Sequence, residues 1–262
     1  MRTRRPTPAF LFALTTAAVA LILLFFRTVA LFVNFDATAQ HYMSPAVETV
    51  STYGFFLPPV LFIPLVLLLP KETQLTRIGE RSRLIYLPLL ILLGASSIEL
   101  FATAMTERLT SLSLLFAILA AVAAGVSALP YLLKLLKLPV SQGLEQLLLA
   151  ASSVYMILYA MFTYFDERHY MNNPNAMLIT LTAVILALLF FYDAKSLTGG
   201  SARLTLYLMA SGVSLAVSTA IPSLLYRLSG GALVTSLVFE LLLLAAALPF
   251  GFRLFIYGGR NK

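Results

Sequence analysis

Runs of about 20 apolar residues recur along the chain, separated by short segments rich in charged residues, Pro, Gly or Asn. A helix of ~20 such residues crosses a hydrocarbon core about 30 Å thick. Only 11% of the 262 residues are charged and 60% are apolar, whereas about 25% of a soluble domain is charged. The chain cannot cover itself with polar surface. The runs therefore predict an all-α, polytopic membrane protein whose main partner is the lipid bilayer.

Eight runs are long enough to be transmembrane helices. The second run contains three prolines, so we expect it to be kinked or irregular. The predicted limits are 8–33, 53–70, 84–105, 111–136, 144–164, 176–192, 204–227 and 232–256.

The Lys and Arg residues indicate how these helices are oriented. Fourteen of the 18 lie in the two terminal tails and in the loops after the second, fourth and sixth helices. The opposite loops hold only Arg108, Arg168 and Arg227. The positive-inside rule then predicts cytoplasmic termini, and we expect the cell membrane of a bacterium. Contact with anionic lipid headgroups at the cytoplasmic face explains the net charge of +7 better than nucleic acid does.

The basic start "MRTRR" and the apolar run after it could also be a cleaved signal peptide. However, the run resumes after Arg27 with "TVALFV" and is longer than the apolar region of a usual signal peptide. We therefore favour a retained first helix.

Matching motifs in the two halves of the chain suggest a tandem duplication. The motif "FDATAQHYMSP" begins at Phe35, and "FDERHYMNNP" begins at Phe165. Further matches follow in the same order, and the separation decreases slowly, as changes in loop length after a duplication would produce. The matches pair Asp36 with Asp166, His41 with His169, Pro45 with Pro174, "RLIYL" from Arg83 with "RLTLYL" from Arg203, and "ALPYLLKLL" from Ala128 with "ALPFGFRLF" from Ala247.

The duplication predicts two four-helix repeats, residues 1–137 and 138–262, in one integral membrane domain. Four helices return the chain to its starting side, so both repeats would share one orientation, related by an axis along the membrane normal. Helix 4 carries Ala120, Ala124 and Ala128 at four-residue spacing, and small residues let helices approach closely in lipid. We therefore expect helices 4 and 8 at the interface between the repeats.

Three ionisable residues lie within the predicted spans: Arg27, Glu99 and Glu240. Charges at such positions usually face a bundle interior or an aqueous cavity. Arg27 and Glu99 each lie ~9 Å from the outer end of their helix at ~1.5 Å per residue, which would allow an ion pair. Glu240 lies ~12 Å in by the same rise, and no basic residue of its own helix is an obvious partner. A protonated carboxyl group or a water-filled site would be its alternatives.

The two outward loops hold Asp36, His41, Asp166 and His169, which include the only histidines of the chain. Together they could supply metal ligands, but neither loop has a dense ligand spacing. A role in loop architecture is favoured, since Asp caps or turns the backbone and Pro opens the next helix. We therefore predict no metal site and no cofactor.

No catalytic motif was found, such as a P-loop, H-E-x-x-H or G-x-S-x-G, so an enzyme is not favoured. The absence of cysteine also excludes thiolate chemistry. Two function classes remain. The first is a small-solute or ion transporter whose site lies at the repeat interface and involves Glu240, Glu99 and Arg27. The second is a non-transporting accessory subunit, sensor or scaffold that works with a partner membrane subunit.

Overall fold

The computed structural model describes residues 8–69, 84–166, 173–199 and 201–260. Within these ranges, eight helices are long and apolar enough to cross a membrane. This confirms an all-α, multi-pass membrane protein. The helices are α1 (Pro8–Asn34), α2 (Pro45–Leu67), α3 (Leu84–Thr106), α4 (Ser111–Leu136), α5 (Gln142–Phe165), α6 (Pro174–Lys195), α7 (Ala202–Leu228) and α8 (Leu237–Arg260).

The predicted start of α2 at residue 53 is wrong, because the helix begins at Pro45. Pro45 occupies the first turn, where its fixed φ suits a helix and its missing N–H costs nothing. The helix is irregular, as its prolines predicted. A 3-10 turn at Gly54–Phe56 separates two α-helical pieces, and Pro58 opens the second piece.

The predicted start of α8 at residue 232 is also wrong, because the helix begins at Leu237. The preceding residues are apolar enough to resemble helix, but the hydroxyl of Ser236 accepts a bond from the backbone N–H of Phe239 at 3.1 Å. This capping bond satisfies one of the free N–H groups of the first turn. Residues 229–236 are therefore non-helical backbone.

A short hairpin follows α1. Strand β1 (Phe35–Asp36) pairs antiparallel with β2 (His41–Tyr42), and Asp36 lies opposite His41. The Asp36 carboxylate accepts bonds from the backbone N–H groups of Ala39 and Thr38. Both bonds lower the pKa of the exposed Asp36 carboxyl group, and the bond from Ala39 has the larger effect. The Asp36 side chain thus forms part of the turn between β1 and β2.

The helices from α3 to α8 pack in chain order, each along the next. Helix α1 packs along α7, and α8 also contacts α3 and α1. Burial is uneven: in an apolar stretch of 18 residues, 72% of the residues of α7 are buried, against 22% for α1 and for α3. Helices α6, α7 and α8 therefore form the centre, whereas α1 to α4 lie at the periphery. Exposed side chains such as Phe25 and Leu68 present apolar surface to lipid.

The sequence of α7 explains its central place. It is rich in small hydroxyl residues, and those that are buried bond mainly to carbonyl groups within the bundle. Ser218 donates to the Ser214 carbonyl at 2.6 Å, and Thr219 bonds to Thr182 of α6 at 3.2 Å. Small residues permit close approach, and hydrogen bonds within the bundle satisfy most of their buried hydroxyl groups.

The alanine stripe of α4 is buried as expected at Ala120 and Ala124, which have no exposed surface. The extensive contacts of α4, however, are with α3 and α5, whereas those of α8 are with α7, α3 and α1. The stripe therefore serves packing against its neighbours in the chain. The duplication itself and the shared orientation of the halves stay predictions.

Close packing of α7 on α6 gives the first test. A Cβ atom at Gly212 would lie 3.2 Å from the side chains of Leu186 and Leu189, whereas one at Gly94 in α3 would meet nothing within 4 Å. We expect Gly212→Leu to cost about 1–3 kcal/mol of stability through overpacking. Gly94→Leu is the control. Thermal unfolding in detergent measures both, and equal melting temperatures would contradict this packing.

Candidate functional site

One end of the bundle carries the hairpin, residues 107–110 and residues 229–236. The charge distribution predicts that this end faces outward, and we call it the outer end. A partly open cavity of about 220 Å³ lies here between α3, α5, the first turns of α6 and the segment before α8. Its polar lining consists of Glu99, Thr103, Tyr159, Thr163, Asp166, Thr235 and Ser236.

Glu99 projects from α3 into this cavity. Its two carboxylate oxygens lie 2.9 and 2.7 Å from the hydroxyl of Ser236. Ser236 also caps α8, so the N-terminus of that helix lies beside the carboxylate. No Lys or Arg of the described ranges forms an ion pair with Glu99. The cavity thus presents a carboxylate held only by a hydroxyl group.

The segment before α8 enters the bundle. The hydroxyl of Ser236 contacts the carboxylate of Glu99. Glu99 lies seven residues before the end of α3 at Thr106, so this contact is about 10 Å below the end of the helix. Non-helical backbone at such depth is tolerated where protein encloses it or where it lines a cavity. Residues 234–236 do line the cavity.

Arg227 holds this segment in place. It lies in the last turn of α7, and its Nε donates to a carboxylate oxygen of Glu240 at 3.1 Å. Its Nη2 donates to both the carbonyl and the hydroxyl of Thr235. The Thr235 hydroxyl in turn donates to Glu240. One guanidinium group therefore ties the end of α7 to the start of α8.

The position of Glu240 in its helix differs from the prediction. Glu240 lies in the first turn of α8 rather than eight residues inside the helix, because α8 begins later than expected. It also has a basic partner, Arg227, which belongs to the neighbouring helix. Glu240 has no exposed surface and is absent from the cavity lining. Its contacts place it as a support of the cavity wall.

The ion pair that the sequence allowed between Arg27 and Glu99 is not formed in the structure. Arg27 has no exposed surface and donates to the amide oxygen of Asn175 at 2.6 Å, with the hydroxyl of Tyr42 at 3.4 Å. Its guanidinium carbon lies 5.8 Å from the ring centre of Phe55. The sequence predicts a similar depth for the two side chains, but the rotation of each helix directs them toward different neighbours.

The two Phe-Asp motifs have different surroundings. Asp36 is exposed in its turn, whereas Asp166 is 2% exposed and lines the cavity. His41 lies 3.4 Å from Glu48 through its Nδ1. His169 lies outside the described residues. Among the residues that are described, no group of three or more His, Asp or Glu could hold a metal ion.

Several cavity residues were missed from sequence. Glu99 and Asp166 are recognisable in the sequence by their charge, whereas the hydroxyl groups of Tyr159, Thr235 and Ser236 carry no charge and resemble many others in the chain. One signal was available for Ser236. A Ser followed by an apolar helical run that contains an acidic residue near its start is a typical helix beginning.

Comparison of the chain with models of known protein families, with curated proteins and with solved structures gives no match. The site is therefore interpreted from its own chemistry. Among the residues that the structure describes, two carboxylates and five hydroxyl groups line the cavity, and no Lys, Arg or His does so. Carboxylate and hydroxyl oxygens are ligands that suit a cation. Tyr159 adds an aromatic face, which also attracts cations.

The Arg227–Glu240 pair gives the second test. We expect Arg227→Gln and Glu240→Gln each to destabilise the fold, because each leaves a buried group without its partner. The double variant should lose less than the two single variants together, with a coupling of about 0.5–3 kcal/mol.

Thermal unfolding of the four proteins completes this cycle. The pair Lys134–Glu145 is the control, since its side chains are 30% and 27% exposed and such pairs contribute less than about 1 kcal/mol. Strictly additive effects at Arg227 and Glu240 would show that the pair does not hold the segment.

Proposed function

We propose that this integral membrane protein is a transporter of a small cation or cationic solute, and that Glu99 in the outer cavity is the binding carboxylate. The observation that carries the proposal is the acidic cavity together with the buried polar face that leads from it along α5. A transporter needs both a site that selects its solute and a polar route from that site through the bilayer.

The polar face of α5 runs through the bundle. Its members follow the three- and four-residue spacing that places side chains on one side of a helix. All are at most 5% exposed. From the outer end inward they are Asp166, Thr163, Tyr159, Tyr155 and Ser152.

Neighbouring helices continue this hydroxyl row. The hydroxyl of Tyr155 lies 2.7 Å from that of Ser96 in α3, and Ser152 lies 3.4 Å from the hydroxyl of Tyr131 in α4. Tyr131 borders a small cavity near the opposite end, whose wall also includes the ion pair of Asp193 with Arg253. Hydroxyl groups in such a row can pass a proton or replace part of the hydration shell of a cation.

The cavity is closed below by aromatic packing. The rings of Tyr159 and Phe239 are stacked, with centroids 3.5 Å apart, and Tyr155 packs edge-on against Phe239. Since Phe239 belongs to the first turns of α8, a shift of α8 relative to α5 would open this floor. Aromatic closure beneath a partly open cavity corresponds to one end state of alternating access.

The position of the cavity agrees with a site between the predicted repeats. Glu99 comes from α3 in residues 1–137, while the other walls come from α5, α6 and the segment before α8 in residues 138–262. Transporter sites at repeat interfaces often use helices that begin within the membrane layer. The late start of α8 beside Glu99 supports this interpretation.

The alternative is a non-transporting accessory subunit or sensor. One observation favours it: Glu240 is held by Arg227, as in a structural support. The same cavity would then bind a ligand without moving it, and flux measurements separate the two functions.

Glu99→Gln gives the third test. Purified protein is reconstituted into liposomes that contain the pH-sensitive dye pyranine, and gradients of Na⁺, K⁺ and methylammonium are imposed in turn. We expect at least one gradient to drive flux that Glu99→Gln reduces by about tenfold or more, because the amide keeps the Ser236 contact but removes the charge.

Glu48→Gln is the control for this experiment, because Glu48 is a half-buried carboxylate near the outer end that lies outside the cavity lining. It should retain wild-type flux. An equal response of both variants would assign the effect to general surface charge. Absence of flux for every gradient would favour the accessory function.

Tyr155→Phe gives the fourth test. The change removes one hydroxyl from the row on α5 and keeps the ring that packs against Phe239. We expect flux to fall by about tenfold while the apparent affinity for the cation stays unchanged, because Tyr155 is absent from the lining of the outer cavity. Tyr164→Phe on the same helix is the control, since Tyr164 is 76% exposed. A Tyr155→Phe protein with normal flux would exclude this row as the route.

A further inference from the structure

The surroundings of Arg27 form a second polar cluster, separate from the acidic cavity. Arg27 has no exposed surface, and among the described residues its guanidinium group contacts neutral partners alone: Asn175, Tyr42 and the ring of Phe55. No Asp or Glu of the described ranges pairs with it. Burying an unpaired cation costs several kcal/mol, so a group that supplies negative charge would be strongly stabilised here.

Unused donors are concentrated in the same cluster. The Nε of Arg27 and the amide nitrogens of Asn173 and Asn175 are buried and have no hydrogen-bond partner. A guanidinium group has five N–H donors, and Arg27 forms two hydrogen bonds with residues of the described ranges. Buried donors are normally satisfied. Several unsatisfied donors around one positive charge have the composition of an anion site.

Helix α6 adds to this positive character. Asn173 caps α6, and its side-chain oxygen accepts bonds from the backbone N–H groups of Asn175 and Ala176. The capping leaves the amide nitrogen of Asn173 free to donate. It also places the positive end of the α6 dipole beside Arg27, where the dipole and the guanidinium repel each other unless a negative group lies between them.

We propose that Arg27, Asn173 and Asn175 bind an oxyanion, the carboxylate or phosphate group of a ligand, near the outer end of the bundle. The Nε of Arg27 and one of its unused Nη hydrogens would hold two oxygens of the anion side by side, as guanidinium groups commonly do. The two asparagine amides would donate to the remaining lone pairs. This site is independent of the cation site at Glu99.

The test replaces the bound anion by one built into the chain. Asn175→Asp keeps the shape and the oxygen that contacts Arg27 but adds the missing negative charge. Asn34→Asp is the matched control, because Asn34 also accepts through its side-chain oxygen, from the backbone N–H of Ser44, outside the cluster. Sodium phosphate and sodium acetate are titrated at constant ionic strength, and thermal unfolding is followed in a neutral detergent.

The wild type and Asn34→Asp should show a saturable rise in melting temperature of roughly 5 °C when the anion reaches about 100 times its Kd. Asn175→Asp should melt higher than the wild type without any anion and should not respond to it. Calorimetric titration of phosphate into the wild type measures binding directly, so the proposal stays testable even if a variant fails to fold.

A parallel titration with short-chain phosphatidylglycerol distinguishes a lipid headgroup from a free anion. A response to the lipid alone assigns the site to a headgroup phosphate, and a response to phosphate or acetate assigns it to a soluble ligand. Wild-type protein that responds to none of them, or that responds no more than Asn175→Asp, overturns the proposal. Failure of cation flux would leave this result unaffected.

Discussion

The contact of Arg227 with Glu240 and Thr235 is the interaction on which the outer half of the bundle depends. A hydrocarbon layer offers no partners to free backbone groups, so the non-helical residues before α8 can enter the bundle only if protein satisfies them. The guanidinium group does so by binding the Thr235 carbonyl and the Glu240 carboxylate together. As a result α8 begins beside Glu99, and the cavity exists where a longer helix would have filled the space.

The same requirement explains why the helices are not equivalent. Helices α1 to α4 expose apolar side chains and form the periphery, whereas the hydroxyl-rich α7 is enclosed by its neighbours. A helix of mixed polarity is stable in lipid when its small hydroxyl residues bond within the bundle. The polar face of α5 follows this rule, since its groups bond to Ser96 and Tyr131 of neighbouring helices.

The sequence was sufficient to predict the helices but not the side-chain contacts between them. Length and hydropathy identify a transmembrane helix because the bilayer imposes both, and all eight were found with limits that are mostly within three residues. The two largest errors, at Pro45 and Leu237, are positions where a proline in the first turn or a capping serine, rather than hydropathy, marks the start of the helix. Side-chain partners depend on how each helix is rotated, which hydropathy does not specify. For this reason the sequence identifies Glu99 as a candidate but not its partner Ser236, and it does not identify Asn175 as the partner of Arg27.

The two Phe-Asp motifs show how matching sequences can reach different chemistry. The first is followed by a hairpin that satisfies Asp36 with backbone N–H groups at the surface. The second lies at the end of α5, where Asp166 is buried and lines the cavity. If the halves share an origin, the residues of the second half have become the enclosed core and have acquired most of the polar groups of the cavity. Glu99 is then the contribution of the first half, so a site of this composition requires both halves.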